Sequence, residues 1–115
     1  MPVIKYNDVK LVEVNVEGAN KVSYSRVITE ELGWAGHCLR LFRLNSGGYT
    51  PHHSHDWEHV NYIIKGEGEV TIGDKVISLT AKDFAFVPPN VMHQFKNNSD
   101  DILEFICIVP KDGDI

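Results

Sequence analysis

Long apolar runs are missing from this chain. Stretches such as Phe105-Ile106-Cys107-Ile108-Val109 fall far short of the roughly 20 residues that cross a bilayer as a helix. No membrane segment is expected. The first residues, Met1 to Asp8, carry neither the basic start nor the apolar segment of a secretory signal, so the cytoplasm is the expected compartment. Positive charge is also scarce: 11 Lys and Arg against 16 Asp and Glu leave a net charge of −5, with no basic cluster. Nucleic acid, which needs such a cluster, is not an expected partner. Cysteine occurs twice, as Cys38 and Cys107, which is too sparse for a disulfide scaffold and reads as a pair of reduced thiols.

Helical periodicity is absent too. No window shows apolar residues at a clean 3.6 spacing, and no repeat, low-complexity tract or linker interrupts the 115 residues. One domain spanning 1–115 is expected. Short alternating stretches bounded by Gly, Asn and Asp read as strands over 9–16, 21–28, 37–44, 60–64, 68–72, 76–79, 84–87, 91–96 and 103–109. Asn45-Ser46-Gly47-Gly48 reads as the stop after the third of these, and Gly73-Asp74 as a hairpin turn. Glu30 to Gly36 reads as a loop holding a single helical turn. Many short strands without crossover helices predict an all-β, antiparallel sandwich or barrel.

Histidine is where the sequence departs from the ordinary. Of six histidines, His52, His53, His55 and His59 fall within eight residues, with His37 and His93 apart. On extended chain, His53 and His55 share a face while His52 takes the other. His59 follows four residues later and can return beside them on the next strand. Three converging imidazoles repel one another when protonated, and each needs a partner when buried; a metal ion satisfies all three. His37 and His52 read as ordinary surface or packing residues, and His93 alone leaves both readings open.

Gly47, five residues, His53-Ser54-His55, three residues, His59, six residues, Gly66 resembles the first motif of the cupin superfamily, G(X)5HXH(X)3,4E(X)6G. Pro88, one residue, Asn90, two residues, His93, three residues, Asn97 resembles the second, PXG(X)2H(X)3N. The chain is similar to small single-domain cupins with an all-histidine site, a manganese-binding one from a thermophile among them. The resemblance implies a jelly-roll β-barrel and a metal held by His53, His55, His59 and His93, with His59 standing where the family carries glutamate. Asn90 replaces the glycine of the second motif, and Asn tolerates the left-handed backbone needed there. Lys82 replaces the glycine that opens the second motif, a change read as a turn at the surface.

Four neutral imidazoles leave a divalent ion its full charge, so anionic ligands are favoured. An octahedral ion keeps two positions for other ligands. One divalent transition metal per chain is expected, manganese or iron first, with zinc, nickel or copper also suited to imidazole. Strand alternation nominates Arg40, Phe105, Cys107 and Val109 as pocket residues. Arg40 is a candidate carboxylate holder and Cys107 either a space filler or a tuning thiol. Asp56 and Glu58 either orient the ligands or face water, and Trp57 reads as packing. The expected function is a metal-dependent enzyme using oxygen or peroxide on a small organic substrate. A non-catalytic metal or small-molecule binding module and a metal-dependent isomerase or lyase are the alternatives. A homodimer is expected, because an apolar 9–16 strand leaves an edge to cover.

Overall fold

The computed structural model describes residues 2–113. Among these described residues nine strands form in the expected order: β1 (Val12–Glu13), β2 (Asn20–Ile28), β3 (His37–Tyr49), β4 (His59–Lys65), β5 (Glu67–Ile72), β6 (Lys75–Thr80), β7 (Phe84–Val87), β8 (His93–Lys96) and β9 (Leu103–Pro110). Every pairing between them is antiparallel, and the spatial order runs β6-β5-β8-β3-β9-β4-β7, with β2 also on β3 and β1 on β2. The fold is the all-β antiparallel jelly-roll that the motifs imply. Among the described residues no helix is long and apolar enough to cross a membrane. The three helical segments are single 3-10 turns, and the one over Glu30–Leu32 sits inside the expected loop, where Thr29 Oγ1 accepts from the Glu31 amide at 3.2 Å.

Two strand limits differ from the sequence reading. Strand β3 does not stop at Leu44 but runs through Asn45-Ser46-Gly47-Gly48 to Tyr49, pairing first with β9 and then, at Tyr49, with β8. The glycines bend the strand instead of ending it. A Cβ on Gly48 would come within 2.9 Å of the Asn20 and Asn45 carbonyl oxygens, so only glycine lets β3 pass between the two parts of the sheet. The expected 9–16 strand pairs only over Val12–Glu13; the rest of that segment borders the cavity, with Val14 packed on the core.

Apolar alternation builds the core. Val22, Leu44, Ile63, Val70, Leu79, Phe95, Leu103 and Phe105 close one end of the barrel, each less than a tenth exposed. Above them Phe105 stacks between Phe42 (5.5 Å between ring centroids) and Phe95 (4.5 Å), an aromatic floor for the open end. Asn97, the last residue of the second motif, holds the bend in place: its Nδ2 donates to the carbonyls of Leu44 at 2.8 Å and Asp101 at 2.7 Å. Asn90 takes the left-handed backbone (φ 64°) as expected, and so does Lys82 (φ 79°). Lys82 is therefore more than a surface change: a Cβ-bearing residue occupies a conformation that glycine adopts without strain.

Candidate metal centre

The segment between β3 and β4 carries the histidines across the open end of the barrel. His53 is fixed by a two-way backbone bridge to His93, with the His93 amide donating to the His53 carbonyl at 2.9 Å and the reverse bond at 3.2 Å. That bridge ties the first motif to the second. The ring nitrogens of His53, His55 and His93 lie within 4.8 Å of one another, a grouping that can hold a metal ion. His59, the first residue of β4, brings its Nε2 to 3.2 Å from the Nε2 of His93. Three of the four expected ligands, His53, His55 and His93, thus form one group, and His59 adjoins it through His93. His37 stacks on Trp34 away from this point, and His52 is exposed.

Hydrogen bonds fix which nitrogen faces inward. His55 Nδ1 lies 2.9 Å from the Trp57 carbonyl oxygen, His93 Nδ1 2.9 Å from that of Val91, and His59 Nδ1 2.7 Å from Asn61 Oδ1. A carbonyl oxygen only accepts, so each Nδ1 carries the proton and each Nε2 offers a lone pair. Asn61 cannot be turned the other way, because its Nδ2 donates to the Ile106 carbonyl at 3.3 Å. The donor set and its tautomers fit a divalent transition metal, for which carbonyl-oriented imidazoles are the usual arrangement.

Burial favours the neutral form of His53, His59 and His93. Desolvation pushes His59 down to about 3, with the charges of His93, His55 and Arg40 adding to the effect and the Asn61 hydrogen bond opposing it. His93 is also lowered, first by burial and then by His55 and His52, against the Val91 hydrogen bond. His53 is lowered by burial and by His93, His55 and His52. Neutral imidazole is the form that binds a metal, and burial favours that form at His53, His59 and His93.

Two residues contribute more than the sequence reading assigned them. Trp57 stacks flat on His55 at 4.2 Å with 2° between the planes, and its carbonyl accepts a hydrogen bond from His55 Nδ1–H, so it positions that ring twice over. Asn61 was not singled out at all. Its signal was alternation: two residues beyond His59 on a strand, it faces the same side. The orienting acceptors among the described residues are the Trp57 and Val91 carbonyls and Asn61 Oδ1, and neither Asp56, which is exposed, nor Glu58 is bonded to a ligand ring.

Beneath the imidazoles lies a cavity of about 620 Å³, bordered by β1 at its mouth. Arg40, Phe105 and Cys107 line it with the four histidines. Val109 is fully buried beside Cys38 and Cys107, packed behind the wall rather than lining it. Arg40 lays its guanidinium over the Phe42 ring at 5.1 Å and donates from Nη2 to Cys107 Sγ at 3.3 Å.

Comparison with known proteins agrees with this geometry. Residues 40–109 match the family model described as "Cupin domain". A relative from Rhodospirillum rubrum, described as 1-methylthio-D-xylulose 5-phosphate methylsulfurylase, is 29% identical over 93 residues, covering 77% of this chain. The chain spans 60% of that relative's length. Among solved structures, the polyketide cyclase RemF from Streptomyces resistomycificus superposes with a TM-score of 0.89 at 25% identity, over 96% of this chain and 80% of the other. A predicted oxalate decarboxylase from Thermotoga maritima gives 0.85 at 20% identity, over 95% and 98%, a likeness of fold alone.

Proposed function

The chain belongs to the cupin domain family, and from that premise we propose that it is a metal-dependent enzyme acting on a small organic molecule in the barrel cavity. One observation carries the reading: imidazole Nε2 lone pairs converge at the cavity while the opposite ring nitrogens of His55, His59 and His93 are tied to carbonyl oxygens. The proposed cofactor is one divalent transition metal per chain, manganese or iron, held by His53, His55, His59 and His93. Such an ion supplies Lewis acidity or redox cycling when bound.

The chain's own residues do the rest. Phe42, Phe95 and Phe105 exclude water from the cavity floor, and Trp57 and Asn61 hold the ligand rings. Every histidine lining the cavity among the described residues belongs to the cluster, so none remains as a general base. That favours metal-centred chemistry, and the activity proposed is dioxygenase-like bond cleavage with oxygen or peroxide. A redox-neutral isomerase or lyase is the second reading, favoured by relatives described as a methylsulfurylase and a cyclase, names that invoke no oxygen. Protein reconstituted with manganese, iron or zinc and screened for oxidant consumption over a panel of small acids and alkenes separates the two. Turnover with manganese or iron alone supports the first, and equal turnover with zinc supports the second.

A homodimer is part of the proposal. On the outer face, register aligns Ile108, Val60 and Phe86 in one row and Ile106, Tyr62 and Phe84 in the next. Phe84 is 77% and Phe86 57% exposed, on a face that an antiparallel sheet turned to water usually keeps polar. Light scattering should return twice the 13.0 kDa chain mass. A monomer at micromolar concentration would refute it.

A further inference from the structure

One polar row interrupts the apolar wall of the cavity. Register sets Arg40 on β3 beside Cys107 on β9, and Cys107 beside Asn61 on β4, and all three line the cavity. Phe42 and Phe105 form the row on the floor side. His59, two residues from Asn61 on the same strand face, lies on the metal side. The row therefore sits about 7 Å along the sheet from the level of His59, the rise of two strand residues.

Arg40 is the fixed charge of this row, and the described residues give it no carboxylate. Its contacts are the Phe42 ring and the Cys107 thiol, and its Nε is sealed from solvent with no partner. Glu104, buried on the opposite face of β9 from Phe105 and Cys107, pairs with Arg43 at 2.6 Å and with the Tyr6 hydroxyl. Glu13 is the single carboxylate among the described lining residues, and it is exposed on β1 at the mouth. A half-buried guanidinium with its Nε sealed and no counter-ion leaves its charge unbalanced, and four neutral imidazoles would add an ion whose charge they do not offset. With an ion held there, the cavity would carry positive charge at two levels, and among the described lining residues only Glu13 at the mouth is acidic.

We propose that Arg40 binds a carboxylate of the substrate, and that the substrate is a small acid with a second oxygen donor that reaches the histidine cluster. This rests on reading the cluster as a metal centre. Carboxylate fits better than phosphate. With Nη2 shared with Cys107 and Nε sealed, the terminal edge of the guanidinium offers one planar fork, which matches two oxygens. No lysine lines the cavity among the described residues, and one of the two Asn61 amide hydrogens is already given to the Ile106 carbonyl.

The test follows the Arg40 Nε–H resonance in ¹H–¹⁵N spectra, assigned with Arg40→Lys, because a buried Nε–H exchanges slowly enough to be seen. Metal-free and zinc-loaded proteins are titrated with malonate, acetate and the neutral malonamide. Malonate affinities of wild type, Arg40→Gln and Arg40→Lys are measured by calorimetry alongside metal content. Malonate and acetate should move the resonance in both forms and malonamide should not. Arg40→Gln should lose roughly tenfold or more in malonate affinity while keeping its metal, as expected for a lost charge-assisted pair, and Arg40→Lys should lose less. Equal malonate affinity in wild type and Arg40→Gln, or a resonance indifferent to both acids, overturns the proposal. A wild type that takes up no zinc yet shows the acid-dependent shift would refute the metal reading and leave the Arg40 site standing. If Arg40→Gln does not fold, the wild-type titration decides alone.

Discussion

Asn61 binds His59 with one end of its carboxamide and the β9 backbone with the other, accepting from His59 Nδ1 at 2.7 Å and donating to the Ile106 carbonyl at 3.3 Å. The ring therefore cannot rotate without breaking a bond in the middle of the sheet. Asn61 is 1% exposed, so removing it leaves a buried imidazole N–H and a backbone carbonyl unpaired. Asn61→Ala should cost about 1–3 kcal/mol of stability and lower metal affinity about 10- to 100-fold. Asn61→Asp restores an acceptor to His59 and should recover most of the metal affinity. Chelator competition titrations check both, and an unchanged affinity in Asn61→Ala would show that His59 needs no orienting partner.

Stability of the metal-free protein should fall with acid earlier than carboxylate titration alone would bring. His59, lowered to about 3, and His93, lowered by burial, stay neutral in the folded chain at pH values where the unfolded chain binds protons. Below the unfolded value of about 6.5, the unfolded state holds more protons and stability falls as pH falls. The slope approaches about 1.4 kcal/mol per pH unit for each such histidine. For His59 that loss continues until the pH reaches its folded value. Urea unfolding of metal-free protein between pH 7 and pH 4 measures it. In the folded chain protons should compete weakly for the depressed imidazoles of His53, His59 and His93, so these three should keep their metal-binding form to below pH 6.5.

Lys82 offers a stabilising change. Its backbone lies at φ 79° and its amide donates to the Ile63 carbonyl at 2.7 Å, so the turn is needed while the side chain is not. Lys82→Gly should raise stability by up to about 1 kcal/mol, the relief of left-handed strain less the entropy of glycine. Gly66 is the opposite case: at φ 86° a Cβ there would lie 2.1 Å from the Ile102 carbonyl oxygen. Gly66→Ala should prevent stable folding. Thermal melts of the two variants test the pair, and a destabilised Lys82→Gly would mean that the lysine side chain contributes to the turn.

The site was more legible than its supports. Ligand spacing survives in sequence because a strand fixes which side chains share a face, and so His53, His55 and His93 form one group with His59 beside His93. The left-handed turn at Asn90 was legible for a similar reason, since few residues accept that backbone. Strand limits were less so. Asn45-Ser46-Gly47-Gly48 has the composition of a turn, and only the close passage of Gly48 past two carbonyls reveals a bend within β3. Positions 9–16 alternate like a strand, but tertiary packing at the cavity mouth leaves just Val12–Glu13 in the ladder. Trp57 looks like packing in sequence because its main service to His55 is made by a backbone oxygen, which every residue has.

The central claim is that the four imidazoles hold one divalent ion. X-ray absorption at the metal edge of stoichiometrically loaded protein, with metal content measured beside it, tests this most directly. The account predicts one ion per chain with an imidazole-nitrogen shell of about four at roughly 2.0–2.3 Å, and loss of the ion in the His53→Ala, His55→Ala double variant. A full metal complement in that variant, or a shell without imidazole scattering, would contradict it.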